Sequence, residues 1–388
     1  MKNRLDPVTF VITIISVILL LNGGFVYVMK NRVSKMVPVT GFKFIGSIFW
    51  FPIVLLLIIA LINIIDQKKF KFSISIISSI IIVVNFILFM TGIDNVLIHN
   101  QNTRVSFGLS FYAVLILLVS LITKNSSEEK NSIRKYLPLT ITICLIVLFF
   151  ITGFMDKSSI MIEYHTRKDK FISCLIEHVY ICWSAILTSV LFGIPLSYLC
   201  YKNEMIGSIV MGFLNLVRSI PAIALIMIMI TPLSFLKDIP FFRNLGISSF
   251  GFTPVYCALV FYSLFIIISN ITSAFKTINE KYVKVARGIG LTDLQILYKI
   301  QFPIILPVFI SGLKVAVIST FTAASLGTMV GFGGLGTFIV MGSGNAVALD
   351  LILLGSIPII ILIFTTNLIL TLIIKLFGTN YLNIEYTE

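Results

Sequence analysis

Few residues of this 388-residue chain are set up for covalent chemistry. The three histidines, His99, His165 and His178, stand apart without metal-ligand spacing and are expected at surface or interfacial positions. Five cysteines, Cys144, Cys174, Cys182, Cys200 and Cys257, are scattered singly. That pattern builds neither a zinc site nor a disulfide framework, and it fits small side chains packed between helices. No Ser/His/Asp set, redox pair or carboxylate cluster stands out. The run "GFGGLG" at 331–336 has neither the preceding strand nor the following Lys-Ser/Thr of a phosphate-binding loop. No G-x-x-x-x-G-K-[ST] occurs elsewhere, so no catalytic residue, metal site or cofactor site is expected in this chain.

The residues that could act are cations and helix breakers set in apolar surroundings. Arg218 stands about a dozen residues into an apolar run, and Lys314 lies in another. A charge within a membrane helix faces protein, water or a partner by default, unless a long side chain reaches the interface. Pro221 removes a helix hydrogen bond, and broken membrane helices line cavities. Arg218, Ser219, Ile220, Pro221 and Lys314 are therefore the candidate translocation-pathway residues.

A second kind of chemistry is docking. The segment "YVKVARGIGLTDLQILYKIQFP", residues 282–303, is charged in an otherwise apolar chain. Tyr282, Val285, Ala286 and Ile289 fall on one helical stripe. Gly288 and Gly290 allow a close turn with a left-handed residue. Thr292 opens a second helix, and Gln295 stands at capping-box spacing. Leu294, Leu297 and Ile300 continue an apolar side, and Pro303 is expected to break or kink the chain before the next span. The spacing predicts a helix–turn–helix knob with an apolar stripe and a basic rim, suited to another protein's groove.

The elements that must hold these residues are membrane helices. The chain is 58% hydrophobic and 12% charged, with mean hydropathy +1.06, against about 25% charged in soluble domains. Apolar runs long enough to cross a bilayer recur at roughly 8–28, 44–65, 73–93, 105–123, 136–155, 178–200, 207–232, 252–274, 305–328 and 350–376. They are apolar on every side, which excludes the alternation of barrel strands. The expected fold is an all-α polytopic membrane protein of about ten transmembrane helices. Residues 1–155 form an N-terminal membrane region of about five helices, 156–170 connect, and 171–388 hold five helices with a cytoplasmic loop at 275–303. Lys2 and Arg4 before the first run read as a signal anchor. The net charge of +13 is spread over loops, which excludes a nucleic-acid surface and fits lipid head groups. Placing 275–303 in the cytoplasm puts both termini there, with a weak excess of Lys and Arg inside.

The docking segment resembles the coupling loop of ATP-binding-cassette importer permeases. That motif runs Glu-Ala-Ala, three residues, Gly, nine residues, Ile, one residue, Leu-Pro. Here Lys284, Val285 and Ala286 stand first, then Gly290, then Ile300, Phe302 and Pro303. The spacing is kept, while Lys284, Val285 and Phe302 depart in type. "EHVYICWSAILTSVLFGIPLSYL" at 177–199 and "ISGLKVAVISTFTAASLGTMVGFGGLG" at 310–336 resemble core spans of the osmoprotectant branch. "LVRSIPAIALIMIMI" at 216–230 resembles a span that usually reads Gln-Thr-Ile-Pro-Ser-Leu-Ala. The likeness covers about 171–376, as a type I importer permease core, and the first half reads as an extra N-terminal membrane region.

The resemblance implies a permease subunit for glycine betaine, choline, carnitine, proline betaine or related quaternary amines, in a bacterial cytoplasmic membrane. Its implied partners are cytoplasmic ATP-binding subunits carrying ATP and Mg, a second permease subunit in a homo- or heterodimer, and an extracellular or periplasmic binding protein. Lys284, Val285, Ala286, Gly288, Gly290, Thr292, Ile300, Phe302 and Pro303 would form the ATPase-coupling loop. Gly331, Gly333, Gly334 and Gly336 would form a flexible or re-entrant extracellular element. Two other classes compete. An ion-driven secondary transporter predicts paired broken helices and intramembrane carboxylates, which the sequence does not display. A membrane sensor or assembly subunit would use the knob to dock a signalling partner.

Overall fold

A computed structural model describes residues 6–30, 36–99, 103–127, 132–344 and 348–382. The chain forms two compact units, Met1–Thr166 and Arg167–Glu388. Among the described residues, eight helices are long and apolar enough to cross a membrane, or nine if one bent pair counts as a span. The remaining expected span is the shorter apolar helix Pro7–Asn22, so each of the ten runs has a helical counterpart. Lys2 and Arg4 lie outside the described residues.

The first unit opens with α1 (Pro7–Asn22). The run expected to continue to residue 28 instead ends at Asn22 and enters β1 (Val26–Met29). Strand β1 pairs antiparallel with β2 (Val37–Val39), Val26 opposite Val39. On its other side it pairs with β3 (Arg104–Phe107), Val26 opposite Phe107. This small sheet departs from an all-helical expectation. Its three strands are four residues or shorter, too brief for an alternating pattern to stand out from the apolar runs they extend.

Helices α2 (Trp50–His99), α3 (Leu109–Ser127) and α4 (Ser132–Ile151) complete the bundle. The hydrogen-bonded run of α2 holds two apolar stretches, Gly41–Ile65 reaching into it and Phe70–Leu97. Phenylalanines fill the core beside the sheet, with Phe89 stacked on Phe107 at 3.9 Å and Phe25 edge-on to Phe49 at 4.8 Å.

Helix α1 is packed inside out. It buries Thr9, Thr13, Ser16 and Leu20 and exposes Val8, Val11, Ile14, Ile15 and Ile18. Lipid is as apolar as valine, so burial of aliphatic surface does not sort these faces, and small hydroxyl residues let helices approach. The Thr13 hydroxyl donates to the Thr9 carbonyl at 2.7 Å and Ser16 to Ile12 at 2.8 Å, so no polar atom of the pair is stranded.

The start of α1 is held by polar groups. Asp6 caps it, accepting from the Thr9 amide at 2.9 Å, and pairs with Lys124. Buried Asn63 grips the Asp6 backbone twice, donating to its carbonyl at 3.0 Å and accepting from its amide at 3.2 Å. Partial burial alone would raise the Asp6 pKa, but hydrogen bonds from Lys124 and Thr9 outweigh it and hold the carboxyl below its ordinary value. A lowered folded-state pKa favours the folded state above the unfolded value and loses that contribution as pH falls through the folded one. Thermal unfolding in nanodiscs should therefore show stability from this cap at neutral pH and its loss below about pH 4. Asp6→Asn should flatten that part of the profile, and an unchanged profile would contradict the assignment.

The second unit is built on α5 (Lys168–Lys202), α6 (Glu204–Ser219), α7 (Ala222–Leu236), α8 (Phe252–Thr277) and α9 (Glu280–Gly288). The chain continues through α10 (Asp293–Ile296), α11 (Phe302–Ala324), α12 (Gly336–Gly344) and α13 (Leu349–Leu382). Helices α5 and α8 meet through hydroxyls as well as aliphatic contacts. Ser189 and Ser263 oxygens lie 2.6 Å apart, and the Ser189 hydroxyl is 3.0 Å from the Val260 carbonyl. Isolated cysteines fit between these helices, with Cys174, Cys182 and Cys200 buried.

Candidate functional site

The docking segment folds as two short helices around a tight turn. Asn279 caps α9, accepting from the Lys281 amide at 3.0 Å. Helix α9 ends in paired bonds, Leu291 N–H to the Ala286 carbonyl at 3.1 Å and Gly290 N–H to Arg287 at 3.0 Å. This double closure needs a left-handed residue after the helix, and Gly290 supplies it with φ +88°. Gly288 is the last residue of α9 and is not left-handed.

Thr292 then caps α10. Its hydroxyl accepts from the Gln295 amide at 3.4 Å, and the Gln295 side chain accepts from the Thr292 amide at 2.9 Å. Arg287 ties the two helices, its guanidinium 2.9 Å from the Asp293 carboxylate. Thr292→Ala removes about 1 kcal/mol of capping. Hydrogen exchange over 293–297 should quicken about fivefold, and unchanged exchange would show that the cap does not hold this helix.

The expected apolar stripe divides. Ala286 is buried, and Ile296 is buried across the turn. Tyr282, Val285, Ile289, Leu294 and Tyr298 stay more than half exposed. Lys284 is exposed and Ile300 half-buried. The break expected at Pro303 does not occur. Leu297–Gln301 form a π-helical turn, Phe302 and Pro303 open α11, and the helical path runs on from Asp293. Proline is accommodated in the first turn of α11, where the wider turn before it absorbs the missing amide bond.

The run around Pro221 is a broken helix. Helices α6 and α7 meet at 111° across Ile220 and Pro221. Both residues have extended ψ, 129° and 140°. Arg218 lies in the last turn of α6, rather than mid-span, because the helix stops after Ser219. A cation there complements the helix C-terminus. Its guanidinium carbon stands 4.7 Å from the centre of the Phe265 ring. Ser219 donates back to the Asn215 carbonyl at 2.9 Å. The carbonyl of Ile220, freed by the break, accepts from the Tyr262 hydroxyl.

Arg218, Tyr262 and Phe265 line a cavity of about 560 Å³ together with Ser319 and Thr322 of α11 and Ser325 just after it. Lys314 is half-buried on α11 and is not among the described lining residues. The structure thus brings Arg218 to a cavity and leaves Lys314 outside it.

The glycine-rich stretch is packed rather than loose. A 3-10 turn, Ser325–Val330, ends at Gly331, and the Val330 carbonyl accepts from the Gly251 amide at 2.9 Å. Glu177 of α5 accepts from the Gly334 amide at 3.0 Å, and Thr328 donates to the Gly333 carbonyl at 3.1 Å. Leu335 is fully buried. At Gly336 a Cβ would stand 1.9 Å from the Ser325 carbonyl oxygen, so only glycine fits.

Residues 189–381 match the family described as binding-protein-dependent transport system inner membrane component. Residues 3–161 match the N-terminal domain of the ABC transporter permease YehY. The chain belongs to the binding-protein-dependent transport permeases. The permease is 28% identical to the glycine betaine/carnitine/choline transport system permease protein OpuCB of Bacillus subtilis (strain 168), over 50% of this chain and 82% of that protein. It is 27% identical to the choline transport system permease protein OpuBB of the same organism, over 50% and 82%. It is 29% identical to the osmoprotectant import permease protein OsmW of Salmonella typhimurium, over 44% and 74%.

Sequence reasoning passed over three residues of the permease and misplaced a fourth. Glu177 anchors the glycine-rich stretch, and Tyr262 and Phe265 hold the broken helix. His178, expected near a surface, is fully buried, its Nε2 3.2 Å from the Phe321 carbonyl. That bond requires Nε2 to carry the proton. Glu177 left a signal, an acidic residue in a long apolar helix. Tyr262 and Phe265 left none, since aromatic residues are ordinary in such helices. His165 meets Asp156 at 3.3 Å at an exposed position, and the side chain of His99 lies outside the described residues.

Proposed function

We propose that the permease is the membrane-spanning subunit of an ATP-driven importer of osmoprotectants, of the class glycine betaine, choline, carnitine and proline betaine. The observation that carries the reading is the knob of α9 and α10, capped and tied at both ends, within the half that matches the permease family. Its exposed Tyr282, Val285 and Ile289 offer an apolar stripe to a groove. With Lys284 where the family places Glu, the facing groove carries an acidic residue.

Cytoplasmic ATP-binding subunits supply ATP and Mg, a second permease subunit completes the pathway, and an extracellular or periplasmic binding protein delivers solute. The chain sits in a bacterial cytoplasmic membrane with both termini inside. ATP-driven closure of the ATPase pair moves the knob, and its rigid link into α11 carries the motion to the spans. The test is uptake of labelled glycine betaine into proteoliposomes holding the permease with its copurified partners. Uptake should require ATP and the ATPase subunits. Uptake by the permease alone under an ion gradient would replace this reading with the secondary-transporter one.

A further inference from the structure

We propose that the cavity at the broken helix is a solute site that selects a carboxylate-bearing zwitterion over a purely cationic quaternary amine, with Arg218 as the selecting residue. The inference rests on the importer reading above and names the substrate class of its pathway. Arg218 closes α6 at the break and lines the cavity there. It places a permanent positive charge on the cavity lining.

The lining makes that charge count. Among the described residues around this 560 Å³ space, Arg218 is the charged one, and no Asp or Glu faces it. The polar groups beside it are hydroxyls, Ser319 and Thr322 on α11, Ser325 at the start of the 3-10 turn that follows it, and Tyr262 on α8. Tyr262 already donates to the Ile220 carbonyl, which fixes its ring at the cavity lining. Phe265 lies against the guanidinium at 4.7 Å, which orients the planar group without neutralising it. A guanidinium presents paired donors that match a carboxylate. The ring of Tyr262 offers an aromatic surface for a methylated ammonium. A betaine or carnitine satisfies both groups. Choline places its cation in the same space with no carboxylate to answer Arg218, and like-charge contact in a low-dielectric cavity opposes it.

The experiment compares labelled glycine betaine and labelled choline in ATP-dependent uptake by the whole complex, for the native permease, Arg218→Lys and Arg218→Gln, with one binding protein throughout. The binding protein's own preference is then common to all three, and a change in the ratio belongs to the permease. Copurification of the ATPase subunits reports that each variant is folded. The native complex should favour glycine betaine. Arg218→Gln should lower betaine uptake at least tenfold relative to choline, and Arg218→Lys should keep the native order. A ratio that Arg218→Gln leaves unchanged, in a complex that still transports, overturns the proposal while the importer reading stands. ATP-dependent uptake of neither solute by the intact native complex overturns both.

Discussion

Gly290→Val should abolish recovery of the ATPase subunits with the solubilised permease. The residue sits at φ +88° in the turn that closes α9. A side chain at that backbone setting adds roughly 1–2 kcal/mol, and branching at Cβ worsens it. A Cβ there meets nothing within 4 Å, so the strain is in the backbone and no neighbour can relieve it. The turn must open, and the bonds from Gly290 and Leu291 back to Arg287 and Ala286 go with it. The Arg287–Asp293 tie spans the same turn and would also be lost. Recovery should fall at least tenfold. Gly288→Ala is the matched variant. That position is equally open but lacks the left-handed backbone, so it should retain capture. Equal recovery from Gly290→Val and Gly288→Ala would mean that the turn does not form the docking surface.

Gly336→Ala should have the largest effect on stability. One methyl group would stand 1.9 Å from the Ser325 carbonyl oxygen and 2.8 Å from the Thr328 hydroxyl. The nearer obstacle is backbone, which cannot rotate away, so the 3-10 turn and α12 must separate. Overpacking of this kind costs about 3 kcal/mol or more. Thermal unfolding in nanodiscs should fall by roughly 10 °C. Gly344→Ala, at the far end of α12 with nothing within 4 Å, should leave the midpoint in place. A midpoint equally unmoved by Gly336→Ala would show that this turn is not closed as described.

Much of this was legible before the structure because membrane helices announce themselves by length and composition. The knob was legible because its signals are local: a glycine at the end of one helix, and a threonine and glutamine three residues apart at the start of the next. Pro303 misled, because a proline marks where an amide is missing but not whether a π turn will absorb it. The sheet of the first unit was hidden because its strands are short and run on from apolar segments. Arg218 could be singled out as a charge in an apolar run, but its setting could not. Its stacking on Phe265 and the cavity beside it depend on α8 and α11, which lie far along the chain from it. The burial of His178 was hidden for the same reason, since its bond reaches 143 positions along the chain.

The inside-out packing of α1 has a consequence for how freely its positions can change over generations. On Val8, Val11, Ile14, Ile15 and Ile18, which face outward, one aliphatic group serves as well as another. On Thr9, Thr13 and Ser16, a larger side chain would push the neighbouring helices apart. Random drift should therefore scramble the greasy positions and spare the hydroxyls. A saturation library over 7–22, scored for surviving protein, should reproduce that inverted tolerance. The residues that look most like a water-soluble helix would then prove the least replaceable in a bilayer.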